Sequence, residues 1–207
     1  MSDPVADAIA AAQRGALIVF PTDTVYGIGT RPDDAAATGR LFDAKRRPRD
    51  LTLPVLASSF AVARRLGMFD DRAERLAFAL WPGGVTLVLP RSPVSADWDL
   101  GGDRDTIGVR VPDHPMALAV LAAGPLATTS ANRSGEPPAT TCDELEAAFG
   151  EDVDVYLCAD EPLVGAASTV VSLVGALEVL RVGSIDPETI ARLSAGEGPL
   201  LDSGPPR

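Results

Sequence analysis

Apolar residues along this chain come in short runs of two kinds. ALIVF (16–20), VTLVLP (85–90), TIGVRVP (106–112) and PLATTS (125–130) are brief and end in proline, serine or a polar loop, the pattern of buried strands. LTLPVLA (51–57) reads the same way, with Pro54 placing it at a sheet edge or a bulge. VDVYLCA (153–159) is a further apolar stretch, and STVVSLVG with ALEVLRVG (168–183) predicts a strand pair turned at Gly175. The second kind has helical spacing. MSDPVADAIAAAQRG offers Ser2 or Asp3 as N-cap, Pro4 in the first turn and Gly15 at the end. DDAAATGRLFDAK (33–45), SSFAVARRL, DDRAERLAFAL, DHPMALAVLAAG, DELEAAFG and DPETIARL predict six more helices. Between them lie the polar loops TDTVYGIGT (22–30), RSPVSADWDLGGDRD and ANRSGEPPATT.

Strands and helices interleave without strict βαβ alternation, which predicts an α/β fold: a twisted, open, mixed sheet with flanking helices. No linker divides residues 1–194, so they read as one domain. The end of SAGEGPLLDSGPPR has too few large apolar residues to pack, and residues 195–207 are expected to form a flexible tail.

Composition narrows the class. The 207 residues are 46% hydrophobic and 23% charged, which fits a soluble globular domain. A formal net charge of -11 argues against strong direct binding of nucleic acid, whose phosphates reward a basic surface. The first residues are acidic where a secretory signal would be basic, and no apolar run approaches the roughly 18 residues of a membrane span. A cytoplasmic protein is expected, with no membrane association. Cys142 and Cys158 form no CxxC pair and His114 is the only histidine, so a structural zinc site is not expected. Cys158, in an apolar stretch, reads as a buried free thiol, and Cys142 lies near a helix start.

One segment departs from the acidic background. AKRRPRD (44–50) holds the only lysine, Lys45, and three of the seventeen arginines. Spacing alone favours cations completing a helix C-terminus, with an anion site as the alternative. Three loops rich in hydroxyl and amide side chains follow strand-like runs: PTDTVYG (21–27), TTSANRSG (128–135) and the start of STVV (168–171). Ligands of open α/β sheets gather where strands end in loops, and these donors together with the cations could build one phosphate site. Each loop taken alone also reads as ordinary turn chemistry. There is no GxxxxGK[ST], GIGT lacks the third glycine of a dinucleotide fingerprint, and His114 between Pro112 and Pro115 reads as a capping or loop residue.

Taken in order, ALIVFPTDTVYGIG, AKRRPRD, TIGVRVPDHP, PLATTSANRSGEPPAT, STVV and LRVG resemble the YrdC-like family of threonylcarbamoyl-AMP synthases, from about residue 7 to 192. The resemblance implies a sheet built around a large cleft. It also implies a nucleotidyltransferase that converts L-threonine, bicarbonate and ATP, with Mg2+, to L-threonylcarbamoyladenylate and pyrophosphate. The product would serve tRNA modification at adenosine 37 through a separate transferase. Carried over residue by residue, it gives Thr24, Arg110, Ser130 and Ser168 to threonine, and Lys45 and Arg47, as catalytic residues, to the phosphates. Thr106, Asn132, Thr140 and Arg181 become further nucleotide contacts, and no protein metal site is implied. Asp23 is the nearest candidate helper. The sequence departs from the family at Thr52, where proline is common, and at Leu56, where a histidine reaches the threonine. PPAT (137–140) stands for PSPT, and Ser172 for an aspartate. These departures bear on amino-acid selectivity. The competing readings are a divergent paralogue that makes another adenylate or hydrolyses ATP, and a nucleotide- or RNA-binding module without synthase activity.

Overall fold

The computed structural model describes residues 3–197. The tail expected to be flexible, residues 195–207, lies mostly outside this range. In chain order the elements are α1 (Pro4–Gln13), β1 (Ile18–Phe20), β2 (Gly27–Thr30), α2 (Ala35–Lys45), β3 (Val55–Leu56), α3 (Phe60–Ala63), α4 (Asp71–Leu80), β4 (Val85–Pro90) and β5 (Thr106–Arg110). They continue with α5 (Pro115–Leu121), β6 (Leu126–Ser130), α6 (Cys142–Phe149), β7 (Val155–Tyr156), β8 (Thr169–Ser172), β9 (Glu178–Arg181) and α7 (Pro187–Ser194).

The strands form one sheet in the order β7-β1-β2-β6-β3-β5-β4-β8-β9. It is mixed: β1–β7, β3–β5 and β4–β8 pair parallel, and the other neighbours antiparallel. Strand alternation sends side chains to two apolar layers. Val19, Ile28 and Ala127 join the larger one with Leu41, Phe42, Leu76 and Leu87, while Ile18, Phe20 and Leu126 join the smaller one with Ala8, Ala11 and Val120.

Helix starts follow side-chain chemistry. Asp3, Asp34, Asp70 and Asp186 each accept from backbone N–H groups of the first turn, and Thr141 with Glu144 completes a capping box on α6.

Four expectations need correction. GIGT lies in a predicted polar loop but forms β2, pairing β1 and β6 on its two sides. A Cβ on Gly29 would stand 2.7 Å from the Thr128 hydroxyl and 2.9 Å from the Ala127 carbonyl, so glycine lets β6 approach closely. Pro54 does not mark an edge: β3 is interior, between β6 and β5, and is shortened to the two residues after the proline. SSFAVARRL yields only the single turn of α3. Cys158 is exposed and forms a disulfide with Cys142, with Cα atoms 5.7 Å apart, because the segment after β7 leaves the core and runs beside the start of α6.

Candidate active site

A cleft of about 440 Å³ opens on the sheet. The three polar loops converge there: the segment after β1 supplies Thr22 and Thr24, the end of β6 supplies Ser130, and the approach to β8 supplies Ser168. Of the ten residues assigned from sequence, Thr24, Arg47, Thr106, Arg110, Ser130, Ser168 and Arg181 line this one cleft. A second cavity of about 350 Å³, bounded by Ile9, Ala12, Val62, Leu66 and Trp98 among others, contains none of them and is mostly apolar.

Arg110 ends β5 with 5% of its surface exposed. Its guanidinium donates to the Gly83 carbonyl at 2.9 Å, the Thr24 hydroxyl at 2.9 Å and the Asp23 carboxylate at 2.5 Å. Asp23, read from sequence as a helper, therefore fixes Arg110, and it also accepts from the Asp113 N–H at 3.0 Å. Thr24 shares a 3.0 Å hydrogen bond with the Thr22 hydroxyl, so the turn after β1 is held from both sides.

Ser168 is a junction. Its hydroxyl lies 3.0 Å from that of Thr86 and accepts from Arg181 at 3.0 Å, while Arg181 also donates to the Ser168 carbonyl at 2.8 Å. Thr86 lines the cleft and was missed by sequence reasoning, although a hydroxyl inside the apolar run VTLVLP was a usable signal.

The cationic segment is presented by the end of α2. Arg46 takes a left-handed conformation, φ 51°, closing the helix and turning the chain so that Arg47 lines the cleft. Arg47 donates to the Thr52 carbonyl at 3.0 Å. Burial, then the charge of Arg181, lowers the pKa of Arg47; burial and Arg181 also act on Arg110, where Asp23 opposes them. Three guanidiniums thus line one cleft, and the one ion pair they make among the described residues is that of Arg110 with Asp23.

Lys45 sits behind the wall rather than on it. It is 2% exposed, and its ammonium donates to the carbonyls of Ser130 and Asn132. Burial, then repulsion from Arg47, pulls its pKa down to about 7. The Ser130 hydroxyl donates to Asn132 Oδ1 at 2.6 Å, so Lys45, Asn132 and Ser130 form one network across the floor. Thr140 is not among the lining residues; its hydroxyl donates to Glu144 at 3.1 Å. His114 caps α5 without a side-chain bond, its Nδ1 buried and without a partner among the described residues, and lies outside the cleft. Leu56 and Thr52 do line it.

Comparison with known proteins agrees with this geometry. A family model named Sua5_yciO_yrdC and described as "Telomere recombination" matches residues 10–183. A Mycobacterium tuberculosis protein is 41% identical over 192 residues, covering 91% of this chain and 88% of its own. A threonylcarbamoyl-AMP synthase of Escherichia coli O6:H1 is 39% identical over 153 residues, 72% of this chain and 80% of that enzyme. Among solved structures, Pyrococcus abyssi Sua5 complexed with L-threonine superposes with a TM-score of 0.86 at 34% identity, over 93% of this chain and 58% of that longer one. Matched over most of its length in sequence and in fold, the chain belongs to the Sua5/YciO/YrdC family.

Proposed function

We infer that the chain is a threonylcarbamoyl-AMP synthase, forming L-threonylcarbamoyladenylate and pyrophosphate from L-threonine, bicarbonate and ATP. The observation that carries this reading is the cleft in which Arg47, Arg110 and Arg181 converge with the hydroxyls of Thr24, Ser130 and Ser168. Guanidinium forks suit carboxylate and phosphate, and the hydroxyls suit a small polar amino acid.

In the reaction the threonine amine adds to bicarbonate, losing water, to give a carbamate. A carbamate oxygen then attacks the α-phosphorus of ATP, and pyrophosphate leaves. No covalent enzyme intermediate is required. The protein positions two anions against each other and offsets their repulsion with cations, the effect that dominates phosphoryl-type transfers. Arg110, fixed by Asp23, and Ser168, fixed by Thr86, orient threonine. Arg47 and Arg181 face the phosphates, and Lys45 adds charge from behind Ser130. Asn132 connects Lys45 to Ser130, Thr106 lines the cleft, and Thr140 would have to leave Glu144 to reach nucleotide. Magnesium would arrive with the triphosphate, held by nucleotide and water, since Asp23 is already committed to Arg110.

The product would pass to a separate threonylcarbamoyl transferase acting on tRNA. No helix among the described residues is long and apolar enough to cross a membrane. A cytoplasmic setting, where tRNA and ATP are found, is part of the proposal.

The test is incubation with ATP, magnesium and bicarbonate, with and without L-threonine, following pyrophosphate and the adenylate mass. Threonine-dependent pyrophosphate with that mass is expected. ATP turnover indifferent to threonine would replace the synthase with a paralogue that merely shares the phosphate-binding cleft.

A further inference from the structure

The disulfide joins two segments that both lead into the cleft. Cys142 opens α6, immediately after Thr140 and Thr141, at the end of the loop that leaves β6 through Ser130 and Asn132. Cys158 stands at the head of residues 159–167, a stretch without helix or strand and largely exposed, which ends at Ser168. Between its buried ends, Leu157 and Ser168, the side chains of this stretch that pack against the larger core are Ala159 and Leu163. Its backbone bonds run from Ala159 N–H to the Tyr26 hydroxyl at 2.9 Å, from Leu163 N–H to the Thr140 carbonyl at 2.9 Å and from Ser184 N–H to the Ala167 carbonyl at 3.0 Å. Gly165 lies flat against the Thr24 carbonyl, where a Cβ would approach to 2.1 Å. The stretch therefore backs the Thr24–Ser168 wall, and the disulfide is its covalent link to the opposite loop.

We propose that Cys142 and Cys158 are a reversible oxidative modification site that sets the affinity of the cleft for threonine, the oxidised pair holding residues 159–167 against Thr24. The proposal rests on the synthase reading of the cleft. The Cα separation of 5.7 Å lies within the roughly 4.4–6.8 Å that a disulfide spans without backbone movement. Cys158 is exposed and Cys142 half-buried, so small oxidants and reductants reach the pair. In oxidation the two thiols lose two electrons and two protons and form the S–S bond; a peroxide takes them up and is reduced to two waters. A dithiol reverses the step by exchange, leaving as its own cyclic disulfide. Pairs of this kind in reducing compartments serve transient or sensing roles rather than permanent bracing. Freed of the link, residues 159–167 keep three backbone ties and the core contacts of Ala159 and Leu163, and ordering the Thr24–Ser168 wall draws on threonine binding.

The full chain is prepared with dithiothreitol or with hydrogen peroxide, beside a Cys142→Ser/Cys158→Ser double variant. Thiol titration and intact mass report the pair, calorimetry reports threonine affinity, and pyrophosphate release reports turnover. Reduction is expected to weaken threonine binding roughly 3- to 10-fold, to raise its KM alike and to leave kcat unchanged. Faster hydrogen exchange across residues 157–168 is expected with it, and the double variant should match the reduced protein under both treatments. Equal threonine affinity in both states, a pair that stays reduced in peroxide, or a double variant that still responds would overturn the switch. Redox-dependent threonine binding without adenylate would keep the switch and remove the synthase reading. Absence of threonine binding in either state would overturn both.

Discussion

Lys45 shows how far a single residue departs from what its neighbours in sequence suggest. An ammonium almost wholly out of solvent, with neutral oxygens around it, is held by burial and by Arg47 near pKa 7 rather than at its ordinary 10.5. The charged form is the disfavoured one in the folded protein. Below about pH 7 both folded and unfolded chains carry the proton and the full penalty applies; from there to about 10.5 only the unfolded chain keeps it, so stability rises with pH across that window. A triphosphate reverses the preference. At about pH 8, ATP binding is expected to take up part of a proton, read by calorimetry in buffers of different ionisation enthalpy, and Lys45→Arg should abolish the uptake. Proton-neutral binding by the native chain would show that Lys45 does not sense the phosphates. Leu56 and Thr86 bear on the amino acid. Leu56→His is expected to raise threonine-over-valine selectivity about tenfold by restoring a polar contact in the cleft. Thr86→Val, which deprives the Ser168 hydroxyl of one of its two 3.0 Å partners and leaves it Arg181, should raise threonine KM more than ATP KM. Unchanged selectivity, or equal changes in both KM values, would move recognition elsewhere. The residue types of the site were legible in sequence because motifs carry them. Burial was not: nothing in AKRRPRD distinguishes Arg47 on the wall from Lys45 behind it, and nothing in PPAT signals that Glu144 claims Thr140.

At the scale of elements, the legible parts were those whose pattern is local. Capped helices and β-branched runs lie where periodicity and side-chain caps place them, because the forces that define them act within a few residues. β2 and β3 were misread for the opposite reason. The glycines of GIGT are poor strand formers by propensity and are used because β6 lies against them; β3 is interior despite Pro54 because two residues suffice to bridge β5 and β6. Gly29→Ala is expected to lower stability by about 1–3 kcal/mol through overpacking against Thr128 and Ala127. Thermal unfolding would check this; an unchanged midpoint would mean that β2 and β6 can separate without cost. The disulfide belongs here too, since sixteen residues of sequence separation do not reveal that α6 starts beside the segment after β7.

The whole molecule separates its charges. A chain with net charge -11 gathers three arginines and its lysine at one cleft, an arrangement expected to hold an anionic ligand locally while the acidic remainder disfavours nucleic acid. No saturable tRNA binding is expected at nanomolar protein in about 150 mM salt; fluorescence anisotropy showing it would make the chain a direct tRNA binder. The same economy has a chemical consequence. Of 207 residues only Lys45 carries an ε-amine, and it is shut inside the floor of the cleft. Amine-directed coupling or reductive methylation finds no ε-amine on the outside of these residues. A reagent small enough to enter would label Lys45 and no other side-chain amine, which makes its loss of reactivity under ATP a one-residue reporter of occupancy.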